Sequence, residues 1–199
     1  MYNWRQLNTE EKKSVLNKRR ESLSPWHSPS HIKSESSRYI LTAACYEHQM
    51  IIGESPERMA RFEKELVDFF TQNAIKLYGW VILPNHYHVL IQEKEIVSLL
   101  KKLFQLQGKC SFLWNGEDNK RGRHIWCNVL ERSIKNDRHF YASLNYIHHN
   151  PIKHNYVTQW NDWSYSSANL YLNQKGREQV LREWQEFDIA DMGQKWDEF

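Results

Sequence analysis

Two histidines, His86 and His88, lie one residue apart in the apolar stretch LPNHYHVLIQ at residues 83–92. Side chains alternate between the two faces of a β-strand, so both imidazoles are expected on the same face. At a Cβ separation of about 6–7 Å, two imidazoles can bind one metal ion at about 2.0–2.2 Å each. The pattern predicts a metal site, and two partly exposed histidines on a half-buried strand are the alternative.

A second polar group occurs in YIHHNP, where Tyr146 and Asn150 are four residues apart. This spacing puts both side chains on one face of a helix. Phe140, Leu144 and Ile147 form a separate apolar stripe on the same helix. Tyr146 therefore need not belong to the core, and a tyrosine packed at the rim of the core is the alternative.

The elements that must position these residues are predicted from apolar periodicity and from helix caps. Four strands are expected, at residues 38–46, 75–83, 86–92 and 124–130. Three helices are expected, the first capped by Ser55, the second at residues 96–114 and the third from Asp137 until Pro151 ends or nearly ends it. The order β, α, β, β, α, β, α indicates an α+β domain with a mostly antiparallel sheet.

Length and composition narrow the class of protein. A chain of 199 residues suits one domain with extensions. No apolar run approaches the roughly 20 residues of a membrane span, and the N-terminus lacks the apolar core of a signal peptide. Three cysteines without a CxxC pair argue against a disulfide framework and a thiolate zinc site, and they fit a reducing compartment.

The net charge of +3 is unevenly distributed. Residues 101–139 contain nine Lys or Arg and four Asp or Glu, whereas the tail from Gly176 contains three and seven. Nine Trp and ten Tyr accompany the basic segments. A basic surface with aromatic side chains is typical of a protein that binds unpaired nucleic acid, and core packing of the aromatic residues is the alternative.

The paired motifs carry a family resemblance. LPNHYHVLIQ resembles the histidine–hydrophobic–histidine motif of HUH single-strand DNA endonucleases and transposases. ERSIKNDRHFYASLNYIHHNPIKHNYV, followed by WNDWSYSS, resembles the C-terminal half of the REP-associated tyrosine transposases. WRQLNTEEKK and SPWHSPSH resemble the N-terminal extension of some members, so the similarity covers about residues 4–170.

This resemblance implies a ferredoxin-like α+β fold at residues 34–172, preceded by a helical and loop extension at residues 1–33. An acidic tail, possibly helical, would follow at residues 173–199. It also implies that His86, His88 and Asn150 bind a divalent ion, Mg²⁺ or Mn²⁺. Tyr146 is the implied nucleophile, cleaving and rejoining single-stranded DNA through a 5′-phosphotyrosine intermediate.

The implied substrate is a single-stranded DNA hairpin with unpaired nucleotides at its foot, in the bacterial cytoplasm and nucleoid. The protein would act as a monomer or homodimer with no membrane partner. Basic and aromatic side chains are expected to hold stem phosphates and to stack on unpaired bases. They are Lys101, Lys102, Lys109, Lys120, Arg121, Arg123, Trp26, Trp114 and Trp126.

Two other functions remain open at this point. A domesticated relative that binds nucleic acid without turnover would keep the basic and aromatic surface. A metal-dependent hydrolase that uses the histidines alone would still cleave after Tyr146 is replaced. Only the transposase forms a covalent protein–DNA adduct, which denaturing gel electrophoresis detects.

Overall fold

A computed structural model describes residues 37–187 together with Asn8, Glu10 and Ile189. The predicted N-terminal extension and Trp26 lie outside these residues, apart from Asn8, whose Oδ1 accepts a hydrogen bond from the N–H of Glu10 at 3.0 Å. None of the described helices has the length and apolar character needed to cross a membrane.

The described residues form four strands and five α-helices. The strands are β1 (Arg38–Ala44), β2 (Lys76–Ile82), β3 (His86–Gln92) and β4 (Leu130–Ser133). The helices are α1 (Pro56–Asn73), α2 (Ile96–Glu117), α3 (Asp137–Lys153), α4 (Ala168–Lys175) and α5 (Arg177–Glu186). The predicted order of the first seven of these elements is confirmed, and α5 lies within the predicted acidic tail.

All four strands pair in one antiparallel sheet in the order β2-β3-β1-β4. This order, with α1 and α2 connecting the strands in a β-α-β-β-α-β sequence, is the ferredoxin-like arrangement. The predicted α+β fold class is therefore confirmed, and β3 occupies an inner position in the sheet.

One face of the sheet packs against α1 and α2. Tyr87 and Val89 of β3 project to this side and join the main apolar cluster with Phe62 of α1 and Leu103 of α2. Ser55 caps α1, as predicted, because its hydroxyl accepts a hydrogen bond from the N–H of Arg58 at 3.1 Å. The alternation predicted for β3 is thus confirmed, with its odd-numbered residues in this core.

The opposite face of the sheet is covered by α3, which packs against β2 and β3. Gly79 allows this close approach, because a Cβ atom there would lie 2.7 Å from Leu144 Cδ1 and 3.1 Å from Ser167 Oγ. The N-terminus of α3 is capped by Asn136, whose Oδ1 accepts from the His139 N–H at 2.8 Å. This helix therefore brings its own residues onto the histidine face of β3.

The position of the fourth strand differs from the sequence prediction. The fourth strand was predicted at residues 124–130, but β4 begins at Leu130 and only Trp126 forms an isolated bridge, with Cys45. Thr42 pairs with Leu130, and Cys45 pairs with Trp126. The first residues of these pairs are three apart in the sequence and the second are four apart, so the segment before β4 contains one extra residue that interrupts the ladder.

Pro151 lies inside α3, which ends two residues later at Lys153. A proline disfavours helical geometry at the residue that precedes it, which here is Asn150. Nevertheless, the His154 N–H donates to the Asn150 carbonyl at 3.1 Å, and Asn150 remains within the helix. The face shared by Tyr146 and Asn150 is therefore continuous.

Candidate active site

The two histidines of β3 share one face and are buried beneath α3. Their ring centroids are 5.1 Å apart, at an interplanar angle of 79°. His86 is 1% exposed and His88 is 0% exposed. The strand register places His86 opposite Ala44 and His88 opposite Thr42 on β1, so the neighbouring strand borders both imidazoles.

His86 is oriented by the residue that precedes it. Its Nδ1 lies 2.7 Å from Asn85 Oδ1, and the Asn85 Nδ2 donates to the His48 carbonyl at 3.3 Å. The second bond assigns the amide orientation, so Oδ1 is the atom facing the ring. An amide oxygen only accepts hydrogen bonds, so in this orientation Nδ1 of His86 is the donor.

His88 has a corresponding partner on β1. Its Nδ1 lies 2.7 Å from the Thr42 hydroxyl, which sits directly opposite in the ladder. Partners at Nδ1 fix the ring orientation of metal-binding histidines and leave Nε2 as the ligand atom. Asn85 and Thr42 thus direct both Nε2 atoms toward α3.

Helix α3 supplies Tyr146 and Asn150 to the same place. The Tyr146 hydroxyl lies 3.5 Å from His88 Nε2, and the two rings have a centroid separation of 5.1 Å. Asn150 Oδ1 lies 3.2 Å from His86 Nε2. The structure therefore brings together all four side chains that the sequence predicted as catalytic or metal-binding.

The contact between His86 and Asn150 suits a bound cation. When Nδ1 alone carries a proton, His86 presents a lone pair at Nε2, which faces the Asn150 oxygen. Two acceptor atoms 3.2 Å apart repel unless a proton or a metal ion lies between them, and this separation allows both to bind one ion at about 2.1 Å. A half-turn of the amide would let Nδ2 donate to Nε2 instead, so Asn150 can serve with and without an ion.

Within the part of the chain that the structure describes, no third ionisable or thiol ligand joins His86 and His88. Among residues 37–187, no group of three or more His, Cys, Asp or Glu side chains could hold a metal ion. The ring of His154, one turn after Asn150, lies 5.0 Å from the His86 ring but does not create such a group. A metal here would need the Asn150 amide and the substrate as further oxygen ligands.

The inner side of α3 is fixed by buried polar contacts. His148 Nε2 lies 3.0 Å from the Ser167 hydroxyl, and complete burial lowers the His148 pKa to about 3. Asn145 Nδ2 donates to the Phe187 carbonyl at 2.8 Å and to the Glu183 carbonyl at 3.3 Å. These contacts attach the helix turn that carries Tyr146 to Ser167 and to the C-terminal end of α5.

The predicted DNA-binding lysines of α2 lie across the sheet from this site. Lys102 Nζ donates to Asn73 Oδ1 at 3.1 Å, and Lys109 Nζ lies 3.8 Å from Glu65 Oε1. Both contacts join α2 to α1, which covers the opposite face of the sheet. Lys101 is exposed on the same helix. The structure does not bring these three residues to Tyr146.

The cluster at residues 120–123 is partly used within the fold. Arg123 Nη2 donates to Asp118 Oδ2 at 2.6 Å, and Arg121 stacks 4.4 Å from the Phe112 ring centroid. Lys120 is exposed. Arg58 and Arg123 both donate hydrogen bonds to the Asp118 carboxylate, and these bonds hold the pKa of that carboxyl at about 2. Arg123 is therefore used as an ion-pair partner within the fold.

The predicted stacking residues Trp114 and Trp126 lie in the core. They are 2% and 8% exposed, and both pack against the Phe62 ring. The indole N–H of Trp126 donates to the Gln107 carbonyl at 3.1 Å. Neither ring offers an open face to a base, so the alternative of core packing describes both residues.

Sequence reasoning did not identify Asn85 and Thr42 as site residues. Asn85 stands directly before His86 in the motif, and a polar residue at the edge of an apolar strand was an available signal. Thr42 carried no such signal, because its contact with His88 depends on the pairing of β1 with β3. Strand register is a tertiary property that residue spacing does not reveal.

Comparisons with known proteins agree with the motifs. No model of a known protein family matches the chain. A protein of Haemophilus influenzae, named as a candidate REP-associated tyrosine transposase, is 35% identical over 96 residues. This alignment covers 43% of the chain and 54% of that protein, so the chain spans about half the length of the curated relative it matches.

A solved structure shares the fold. It is a REP-associated tyrosine transposase bound to a REP hairpin, with a TM-score of 0.56 and 18% identity. The alignment covers 81% of the chain and 92% of that structure. At this identity the likeness concerns the fold. The sequence comparison therefore agrees with the resemblance found in the motifs, and the structural comparison agrees with the predicted fold.

Proposed function

We propose that this chain, similar to REP-associated tyrosine transposases in sequence and in fold, cleaves and rejoins single-stranded DNA at the foot of hairpins. The observation that carries the proposal is the position of the Tyr146 hydroxyl, 3.5 Å from His88 Nε2 and on the same helix face as Asn150. A nucleophile beside a cation-binding group is the arrangement that phosphoryl transfer requires.

The proposed reaction begins at the Tyr146 oxygen. It forms a bond to the phosphorus of the scissile linkage while the bond from phosphorus to the 3′ oxygen breaks. The phenol loses its proton, and the leaving 3′ oxygen gains one. The products are a 5′-phosphotyrosine and a free 3′-hydroxyl, and attack by another 3′-hydroxyl reverses the step without ATP.

The chain's own residues have separate tasks in this scheme. Asn85 and Thr42 hold the two imidazoles with Nε2 toward the reaction site. A divalent ion held by His86, His88 and Asn150 would polarise the scissile phosphate, and the nitrogen ligands favour Mn²⁺ over Mg²⁺. Tyr146, which is 1% exposed, must be uncovered before it can attack the scissile phosphate.

A second candidate function is DNA binding without turnover. The observation that favours it is the closed state of the site, in which His86, His88, Tyr146 and Asn150 are each 0–1% exposed. A phosphodiester cannot reach the Tyr146 hydroxyl in this arrangement unless the site opens. A domesticated protein that binds hairpins by its outer surface would tolerate a permanently closed site.

Formation of a covalent adduct distinguishes the two functions. Labelled hairpins with unpaired feet are incubated with the protein and Mn²⁺, and the products are separated on a denaturing gel. We expect an adduct with the native chain and none with Tyr146→Phe. Tyr141→Phe is the matched control, since Tyr141 lies on the same helix with its ring stacked on Phe187. An adduct with Tyr146→Phe would overturn the nucleophile assignment.

A further inference from the structure

Two cationic side chains from different elements lie beside Tyr146. Lys153 is two turns further along α3, and its Nζ lies 5.2 Å from the centroid of the Tyr146 ring. Arg132 belongs to β4. Partial burial lowers the pKa of Arg132, and its electrostatic interaction with Tyr146 opposes this effect. An ammonium group therefore lies at the Tyr146 ring, and a guanidinium group interacts with this tyrosine electrostatically.

The strand register explains how Arg132 reaches the site. Arg132 pairs directly with Ile40 on β1, and two residues further along β1 is Thr42, the partner of His88. Directly paired residues project to the same face of a sheet, as do residues two apart on a strand. Arg132 therefore projects to the face that carries both histidines and that α3 covers.

These cations occupy the outer side of the site. Lys153 and Arg132 are exposed, whereas Tyr146 is 1% exposed. The two cations are therefore accessible to a phosphate from solvent, whereas the imidazoles are buried. Guanidinium binds two phosphate oxygens at once, while ammonium acts as a mobile point charge.

We propose that Lys153 and Arg132 form a phosphate clamp, which holds the non-bridging oxygens of the scissile linkage from two sides during attack by Tyr146. The clamp rests on the proposed function. The linkage carries one negative charge, which grows as the oxygen–phosphorus bond forms. Positive charges near that position stabilise the transition state more than the bound substrate.

The clamp predicts an effect on DNA cleavage that packing of a cation on the Tyr146 ring alone does not predict. If Lys153 only packed against the Tyr146 ring, its replacement would alter stability and leave DNA chemistry intact. Lys76 is a matched control, because its Nζ lies 4.8 Å from the Tyr78 ring centroid on the edge strand β2, and it is likewise exposed. Arg61 on α1, across the sheet, is the control for Arg132.

Single-turnover kinetics test the clamp. The rate of adduct formation is measured at saturating hairpin DNA with Mn²⁺, for Lys153→Met, Arg132→Met and the controls Lys76→Met and Arg61→Met. We expect each clamp variant to be roughly ten- to hundredfold slower, and both controls to match the native chain. Lys153→Arg and Arg132→Lys should recover most of the rate, and thermal melting verifies that each variant is folded.

A binding measurement identifies the group that the clamp contacts. In a Tyr146→Phe background, affinity is measured for DNA with a phosphodiester or an uncharged methylphosphonate at the mapped scissile linkage. The methylphosphonate should weaken binding with Lys153 and Arg132 present, and should have no further effect once both are Met. The slope of log affinity against log salt concentration should become less negative by about 0.7–0.9 for each phosphate contact that is lost.

The outcomes separate the clamp from the proposed function. If the native chain forms no adduct with any hairpin, the proposed function fails and the clamp fails with it. If the native chain forms an adduct and both folded Met variants react at the native rate, the clamp alone is wrong. An equal methylphosphonate effect with and without the two cations would also overturn it.

Discussion

Asn85 holds the imidazole of His86 at a fixed angle, with 2.7 Å between Asn85 Oδ1 and His86 Nδ1. The amide is itself anchored to the His48 carbonyl on the loop that follows β1. Thr42 makes the equivalent contact with His88 from β1. The direction of both Nε2 atoms is therefore set by residues that do not touch the reacting groups.

Loss of these partners should weaken metal binding without removing a ligand. Thr42→Val keeps the side-chain shape but removes the hydroxyl, and Asn85→Ala removes the amide. We expect about ten- to hundredfold lower affinity for Mn²⁺ by calorimetry in each. Thr42→Ser retains the hydroxyl and should bind nearly as tightly as the native chain. Equal affinity in Thr42→Val and Thr42→Ser would refute the role of the hydroxyl.

The three predicted ligands should not be equivalent. His86→Ala or His88→Ala should eliminate adduct formation and weaken Mn²⁺ binding, because the two remaining ligands hold a hard cation poorly. Asn150→Ala should have a milder effect, since water can replace an amide oxygen. His124→Ala is the control, as His124 is exposed and packs against Tyr46. Unchanged Mn²⁺ affinity in His86→Ala would rule out this site.

The close approach of α3 to the sheet should depend on Gly79. Gly79→Ala would place a methyl group 2.7 Å from Leu144 Cδ1 and 3.1 Å from Ser167 Oγ, so the Leu144 side chain or the helix that carries it must shift. We expect the free energy of unfolding to fall by about 1–3 kcal/mol, together with slower adduct formation. Denaturant titration measures the first effect.

Gly108 provides the matched control for this substitution. It lies in α2, where an added Cβ would meet nothing within 4 Å. Gly108→Ala should therefore raise the free energy of unfolding by about 0.5–1 kcal/mol, because alanine favours helix. A similar loss of stability in both variants would mean that the predicted clash at Gly79 is not the cause.

Buried His148 should make stability depend on pH. Its pKa in the folded chain, about 3, lies below the ordinary value because burial disfavours the charged imidazolium. Below about pH 6.5 the unfolded chain takes up a proton that the folded chain refuses. As the pH is lowered below this value, the free energy of unfolding should therefore decrease, by up to about 1.4 kcal/mol per pH unit for this group.

The variant His148→Gln isolates that contribution. Glutamine does not take up a proton. The free energy of unfolding of the variant should therefore decrease less steeply than that of the native chain as the pH is lowered from about 6.5 to about 4.5. Some slope should remain, since burial also lowers the pKa of His149. Parallel curves for the native chain and His148→Gln in denaturant titrations would contradict the prediction.

Local patterns predicted the elements that carry the site. Alternation along β3 placed His86 and His88 on one face, and the four-residue spacing on α3 placed Tyr146 with Asn150. Both patterns are intrinsic to one element, so they can be read from residue spacing. The encounter of the two elements was predicted through the family resemblance, which combined the motifs.

Properties that depend on tertiary packing were not predictable in this way. Trp114 and Trp126 lie near basic residues in the sequence, yet their rings fill the core beside Phe62. Lys102 and Lys109 lie on α2, and the sheet separates that helix from Tyr146. Residue spacing indicates that a helix has a polar face but does not reveal which face of the sheet the helix covers.

The closed site has a consequence for which DNA is processed. Uncovering Tyr146 requires free energy, and only contacts made elsewhere on the nucleic acid can supply it. A short oligonucleotide with the correct cleavage sequence lacks those contacts, so it should be a poor substrate despite complementarity at the reacting linkage. Selectivity would then depend on whether the total binding energy is large enough to open the site. Single strands without a hairpin would not be cleaved even when their cleavage sequence is correct.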